Sequence, residues 1–145
     1  MPIDESLLEI RTYTGAGYSP VVDYDAWRVA ILNYIDELLP QNITHAQRHD
    51  ETDEVFVLLR GRCILFIGEG DETVTSLHAQ DLEPFKMYNV KKSVWHTHTL
   101  DEDAMVLIVE NHDTTVQNSP AIPLDEAQKK RLVDLTHALW AKGAE

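Results

Sequence analysis

A succession of short segments rich in β-branched and aromatic residues, broken at regular intervals by turn residues, most constrains what this chain can fold into. From Trp27 to Glu110 the runs WRVAILNYI, EVFVLL, CILFIG, TVTSLH, MYNV, SVWHTH and AMVLIVEN follow one another with no helical periodicity between them. Arg60-Gly61-Arg62 joins EVFVLL to CILFIG as a tight hairpin, and Gly68-Glu69-Gly70-Asp71 ends the second of those strands. Strands at this spacing, without crossover helices, bury their apolar faces as an antiparallel barrel or sandwich. At 145 residues the chain is expected to form one domain, 1–145, with the barrel over about 26–112.

The tail reads differently. After the connector Ser119-Pro120-Ala121-Ile122-Pro123, the residues Leu124, Ala127, Leu132, Leu135, Leu139 and Trp140 fall near one stripe. A helix over about 124–142 is therefore expected to pack outside the barrel, with Gly143 at its stop. Its acidic residues come early and its basic ones later, which suits the helix dipole. Within the barrel, Val55 to Leu59 is apolar on both faces. Both faces are thus expected to be covered, by the N-terminal segment or by a second subunit, and a homodimer is the expected assembly.

Charge narrows the partners. The 25 acidic and 12 basic residues give a formal net charge of −13, which repels phosphate backbones and anionic lipid. No nucleic-acid partner and no membrane partner is expected. The start MPIDESLLEIRTYTG lacks the basic residues and apolar run of a secretory signal, and no apolar stretch reaches the roughly 18 residues that span a bilayer. A cytoplasmic location is the expectation. The single cysteine, Cys63, excludes an internal disulfide, and its place in an apolar strand marks an inert thiol. There is no phosphate-binding glycine loop, nucleophile elbow or HExxH pair.

Chemistry concentrates in two polar clusters among the strands. In Gln47-Arg48-His49-Asp50-Glu51-Thr52-Asp53-Glu54, Gln47 and His49 point the same way on an extended strand. Glu54 opens the apolar strand VFVLL, and a carboxylate sharing an interior with Phe56 and Leu58 is costly unless a cation pairs with it. The second cluster is His96-Thr97-His98, whose imidazoles share one strand face. Imidazole with carboxylate, and no soft sulfur ligand, suits Zn, Fe, Mn, Ni or Cu. His45 lies about 13 Å from His49 along an extended strand, too far to share an ion with it. His98, about 7 Å from His96, suits an outer hydrogen-bonding group first, then a general base, then a ligand. Phe56, Leu58, Tyr88 and Met105 are candidate cavity walls by parity, and the Tyr88 hydroxyl is a candidate hydrogen-bonding or proton-moving group. Lys91 and Lys92, on a turn, are solvated or attract an anion. His78, His112 and His137 match no pattern and read as structural or surface groups.

These residues resemble the cupin superfamily. Its first motif is His, one residue, a second His, three or four residues, Glu, six residues and Gly. Here the second His is His49, the Glu is Glu54 after a gap of four, and the Gly is Gly61. The second motif is Pro, one residue, Gly, two residues and His, and the turn from Lys91 to His96 has that length. The resemblance covers roughly Ile31 to Glu110 and implies an all-β, double-stranded β-helix (jelly-roll) barrel of the small single-domain kind, with the C-terminal helix added to it. It also implies a divalent metal (Zn, Mn, Fe or Ni) held by His49, Glu54 and His96. The sequence departs from the motifs in three places. Gln47 stands where the first His belongs, as a neutral fourth ligand, and Lys91 and Ser93 replace the Pro and the Gly.

Three protein ligands with open positions resemble a catalytic centre more than a closed structural one. The resemblance implies isomerase, lyase or dioxygenase chemistry on a small organic substrate, oxo-acid or sugar-like, with the metal as Lewis acid and His98 or Tyr88 moving the proton. A non-catalytic barrel that binds or senses a small ligand is the alternative, and an iron-dependent dioxygenase a further one.

Overall fold

The computed structural model describes residues 2–142, so the helix stop expected at Gly143 lies outside the described residues. Ten strands form two antiparallel sheets. In chain order they are β1 (Tyr18–Tyr24), β2 (Trp27–Asn33), β3 (His45–Gln47), β4 (Glu54–Arg60), β5 (Cys63–Glu69), β6 (Ser76–Asp81), β7 (Tyr88–Val90), β8 (Trp95–Leu100), β9 (Met105–Asn111) and β10 (Ala121–Pro123). One helix, α1 (Glu126–Lys142), follows. The first sheet runs β1-β2-β9-β4-β7 and the second β10-β3-β8-β5-β6.

Between the sheets lies a core that includes Ala30, Leu32, Phe56, Leu58, Leu65, Val106 and Ile108. These residues alternate along their strands as a period of two requires. A second core, with Ile64, Phe66, Leu77 and Trp95, lies on the outer face of the second sheet under Leu124 and Leu132 of the tail. The strand buried on both faces is therefore β5, with Cys63 and Leu65 inward and Ile64 and Phe66 beneath the helix. On β4, Val55 and Val57 are half-buried and Leu59 is 46% exposed, so within one chain the outer face of this strand is not fully covered. Leu59 shares the outward parity of Val55 and Val57, and the register shifts between Leu58 and Arg60. In the N-terminal segment, one of the two expected sources of that cover, Ile3, Leu7 and Ile10 are exposed.

The helix begins on a reciprocal cap in which the Gln128 amide donates to Asp125 Oδ1 and the Asp125 amide donates to Gln128 Oε1. Near its other end, the Arg62 guanidinium donates to the carbonyls of Leu139 and Trp140. Leu132 and Thr136 are buried, with Leu135, Leu139 and Trp140 against the same core. Ala127, placed on the buried stripe by periodicity, is exposed.

Candidate functional site

Three separated pieces of chain meet inside the barrel at one end. His49 follows β3, Glu54 opens β4, and His96 lies on β8 directly opposite Gln47 of β3. Each of His49, Glu54 and His96 is buried and offers one ligand atom, and these atoms lie within 4.8 Å of one another. The connection between the pieces is direct. The Ser93 amide donates to the His49 carbonyl at 2.8 Å, and Ser93 Oγ donates to Asp50 at 2.9 Å. Ser93 has φ +66°, the left-handed conformation that favours glycine, so the turn keeps its shape with serine in place.

The hydrogen bonds on the far side of each ring set its tautomer. His96 Nδ1 lies 3.0 Å from the Val94 carbonyl, which can only accept, so Nδ1 carries the proton. His49 Nδ1 lies 2.7 Å from Ser119 Oγ, whose own hydroxyl donates to Asn118 Oδ1 at 3.2 Å. Ser119 is thereby an acceptor for His49. Both Nε2 atoms are buried and without a hydrogen-bond partner, and in the tautomer protonated at Nδ1 each offers a lone pair. His49 Nε2 sits 2.5 Å from Glu54 Oε2 and His96 Nε2 sits 3.9 Å from Glu54 Oε1. Lone pairs held this close are favourable only with a cation, a proton or a metal ion, among them. A borderline divalent ion fits this donor set of two imidazoles and a carboxylate.

Charge follows the same logic. Burial alone raises the Glu54 carboxyl, but the neighbouring imidazoles of His49 and His96 outweigh it and hold the group below its usual range. Burial lowers His49 and Glu54 more than restores it, leaving it raised. His96 is lowered by burial, against the pull of Glu54.

A cavity of about 460 Å³ opens beside these groups, lined on one side by Gln47, His49, Glu54, Ser119 and His98. His98 Nδ1 is buried without a partner. Burial, opposed by Glu54 and reinforced by His96 and His49, pushes the imidazolium down to about 4. The ring is accordingly neutral at neutral pH, a hydrogen-bonding group and a weak base. Tyr88 is elsewhere: it lines a separate apolar pocket of about 270 Å³, and its hydroxyl accepts from the Glu83 amide at 3.0 Å. Phe56 lies against His98, ring centres 5.7 Å apart, while Met105 has the parity of the outer face. His45 is exposed beside Thr44, and His78 and His112 pair with Glu69 and Asp23 on the surface.

Sequence reasoning did not single out Tyr18, Arg28 and Glu110, which also line the cavity, with the Glu110 carboxyl against that of Glu54. Arg28 Nε and Nη2 donate to Glu110 Oε1 at 3.1 and 2.9 Å, and the Tyr18 hydroxyl donates to the same oxygen. Burial and the Glu54 charge raise the Glu110 carboxyl, with Tyr18 and Arg28 opposing. The available signal was parity. Glu110 shares a face with Val106 and Ile108, and Arg28 with Ala30 and Leu32, so each is a charge pointing into an apolar barrel.

No protein-family model and no curated protein sequence matches the chain. Solved structures do. The Streptomyces protein Pac13, a nucleoside dehydratase also solved with uridine, superposes with a TM-score of 0.54 at 7% identity over 80% of this chain and 88% of that one. A cupin-2 domain protein from Shewanella frigidimarina matches with a TM-score of 0.51 at 17% identity, over 75% of this chain and 100% of its own. The QdtA 3,4-ketoisomerase from Thermoanaerobacterium thermosaccharolyticum, solved as a double mutant with TDP, gives 0.53 at 19% identity over 68% of each chain. With its two antiparallel sheets and terminal helix, this chain has the cupin fold.

Proposed function

We propose that this barrel binds a divalent metal through His49, Glu54 and His96, with Gln47 as a neutral fourth ligand, and acts on a small organic molecule in the adjoining cavity. The observation that carries the proposal is the pair of buried Nε2 atoms facing Glu54 without a hydrogen-bond partner, each ring engaged through its other nitrogen. When bound, such an ion supplies Lewis-acid polarisation of a substrate oxygen. The chain's own residues orient and shield. His98, neutral and facing the cavity, accepts or donates a hydrogen bond to the ligand, and the apolar side chains of Leu32, Leu38 and Ile108 exclude water from the wall. That similar structures hold uridine and TDP supports a small-molecule ligand here. Zn, Mn or Ni would go with isomerase or lyase chemistry and iron with a dioxygenase.

A second reading keeps the cavity and dispenses with the metal. The 2.5 Å contact of His49 with Glu54 is also closed by a proton on His49, which would make the barrel a metal-free binder. Elemental analysis of the tag-free protein beside a His49→Ala/His96→Ala variant separates the two. Near-stoichiometric metal in the parent, lost in the variant, is expected. No metal in either after incubation with divalent ions would leave the metal-free binder in its place. A homodimer in the cytoplasm completes the proposal, the dimer covering the half-buried outer face around Val55 and Val57. Among the described residues no helix is long and apolar enough to cross a membrane.

A further inference from the structure

The outer face of the first sheet is apolar where a sheet facing water is polar. Strand register lines up its outward side chains in two rows across β2, β9 and β4: Val29, Val109 and Val55 in one, Ile31, Leu107 and Val57 in the other. None of these carries a charge or a polar atom, in a chain whose formal net charge is −13. An antiparallel sheet with one face in water alternates apolar inside with polar outside, so such a face calls for a cover. The chain covers only one end of it. The Asn33 side-chain amide, on the same outward parity, donates to the carbonyls of Tyr13 and Gly15 at 2.9 Å each, and Ile31 beside it is buried. The other five side chains of the two rows are half-buried.

The segment before that tether forms an arm. Among the described residues, 2–12 hydrogen-bond only to one another: Asp4 accepts from Ser6, Leu7 and Leu8, and Glu5 and Glu9 accept from Arg11. Its aliphatic side chains stay in water, with Ile3, Leu7, Leu8 and Ile10 exposed by 62, 81, 46 and 78%. An apolar arm and an apolar face thus sit on one chain, unmatched within it. We infer that they match between copies: the arm Ile3–Ile10 of one chain lies across the β2-β9-β4 face of a second, and the second arm across the first face, as a two-fold axis requires. Ten residues reach up to about 30 Å, ample for three strands that span roughly 10 Å. The four aliphatic side chains expose on the order of 400 Å² per copy, so two arms and the faces beneath them bury on the order of 1,600 Å², the size of a stable interface. The arm carries Asp4, Glu5 and Glu9 against Arg11 alone, and an uncharged face accepts it without the repulsion that an acidic surface offers. The inference rests on the homodimer proposed above and adds the segment that closes it.

The test is sedimentation of the full chain over a concentration series at moderate salt, with an Ile3→Ser/Leu7→Ser/Ile10→Ser variant beside the parent. The parent is expected to be a dimer, and the variant to raise its dissociation constant at least about tenfold. A variant that dimerises as tightly as the parent would overturn the exchanged arm and leave the dimer standing. A parent that stays a single chain at every concentration would overturn the dimer and the arm together. Cross-linking supplies a second reading that needs no loss of affinity. Leu7→p-benzoylphenylalanine is irradiated in a mixture with isotope-labelled parent chains, and the linked peptides are identified by mass. Links from the unlabelled arm to β2, β9 or β4 of the labelled copy are expected. Links confined to the arm's own copy, or made to any other surface of the second one, would overturn the inference.

Discussion

His49 and His96 present ring nitrogens to the same point because the opposite nitrogen of each ring is already engaged. For His96 the partner is a backbone carbonyl, beyond the reach of side-chain substitution, whereas for His49 it is the Ser119 hydroxyl at 2.7 Å. Ser119→Ala is therefore expected to weaken metal binding by about 10- to 100-fold with little change in stability, as measured by competition with a chromogenic chelator. An unchanged affinity would show that His49 is oriented by packing alone. At this scale the sequence was informative where spacing along the chain carries the signal, as for His49, Glu54 and Gly61. It was silent on Ser119, 70 positions from His49, and on Arg28 with Glu110, 82 positions apart, because only strand register brings such residues together. Tyr88 shows the limit of parity. It pairs with Phe56 at the expected register, but its hydroxyl reaches a loop amide at Glu83 and lies outside the cavity that His49 and Glu54 line.

The turn between β4 and β5 depends on Gly61. Its φ is +71°, and a Cβ there would lie 2.5 Å from the Ala104 backbone. Replacing Gly61 with Ala adds both a conformational penalty and a backbone clash, so a loss of roughly 2–4 kcal/mol is expected by denaturant unfolding. Stability equal to the parent would mean that the β8–β9 turn carrying Ala104 yields freely. The longer elements were legible because β5 and β9 are sustained apolar runs bounded by turn residues, and α1 repeats near 3.6. β3 and β10, each three residues long, are too short to show a period. β1 escaped for another reason. Pro20 and the register shift between Pro20 and Val22 break its alternation. The helix was readable as an amphipathic stripe, but the Arg62 guanidinium that closes its carbonyls comes from a distant hairpin and has no local signature.

Over the whole molecule, an apolar outer face on one sheet coexists with a net charge of −13. Leu107 and Val109 of β9 extend the half-buried face that Val55 and Val57 begin. Pairing two copies across it buries apolar area but doubles a charge that repels itself, so dimerisation is expected to strengthen as salt screens the repulsion. Analytical ultracentrifugation should give twice the chain mass at moderate salt and a shift toward the single chain at low salt. A single-chain mass at every salt concentration would show that the face stays solvated. The sequence raised this question through the double-sided apolar pattern of β4, and could not answer it because the pattern does not say which copy supplies the cover. The bond from the Ser93 amide to the His49 carbonyl has a consequence at the same scale. It ties the loop bearing one imidazole to the turn preceding the other, within a barrel closed by its own cores. The entropy of bringing these side chains together is thus a cost of folding the barrel, and little of it would fall on capture of an ion there. Donors fixed in advance set the size and shape of the gap between them, and discrimination among ions then turns on which one tolerates that gap without rearranging it.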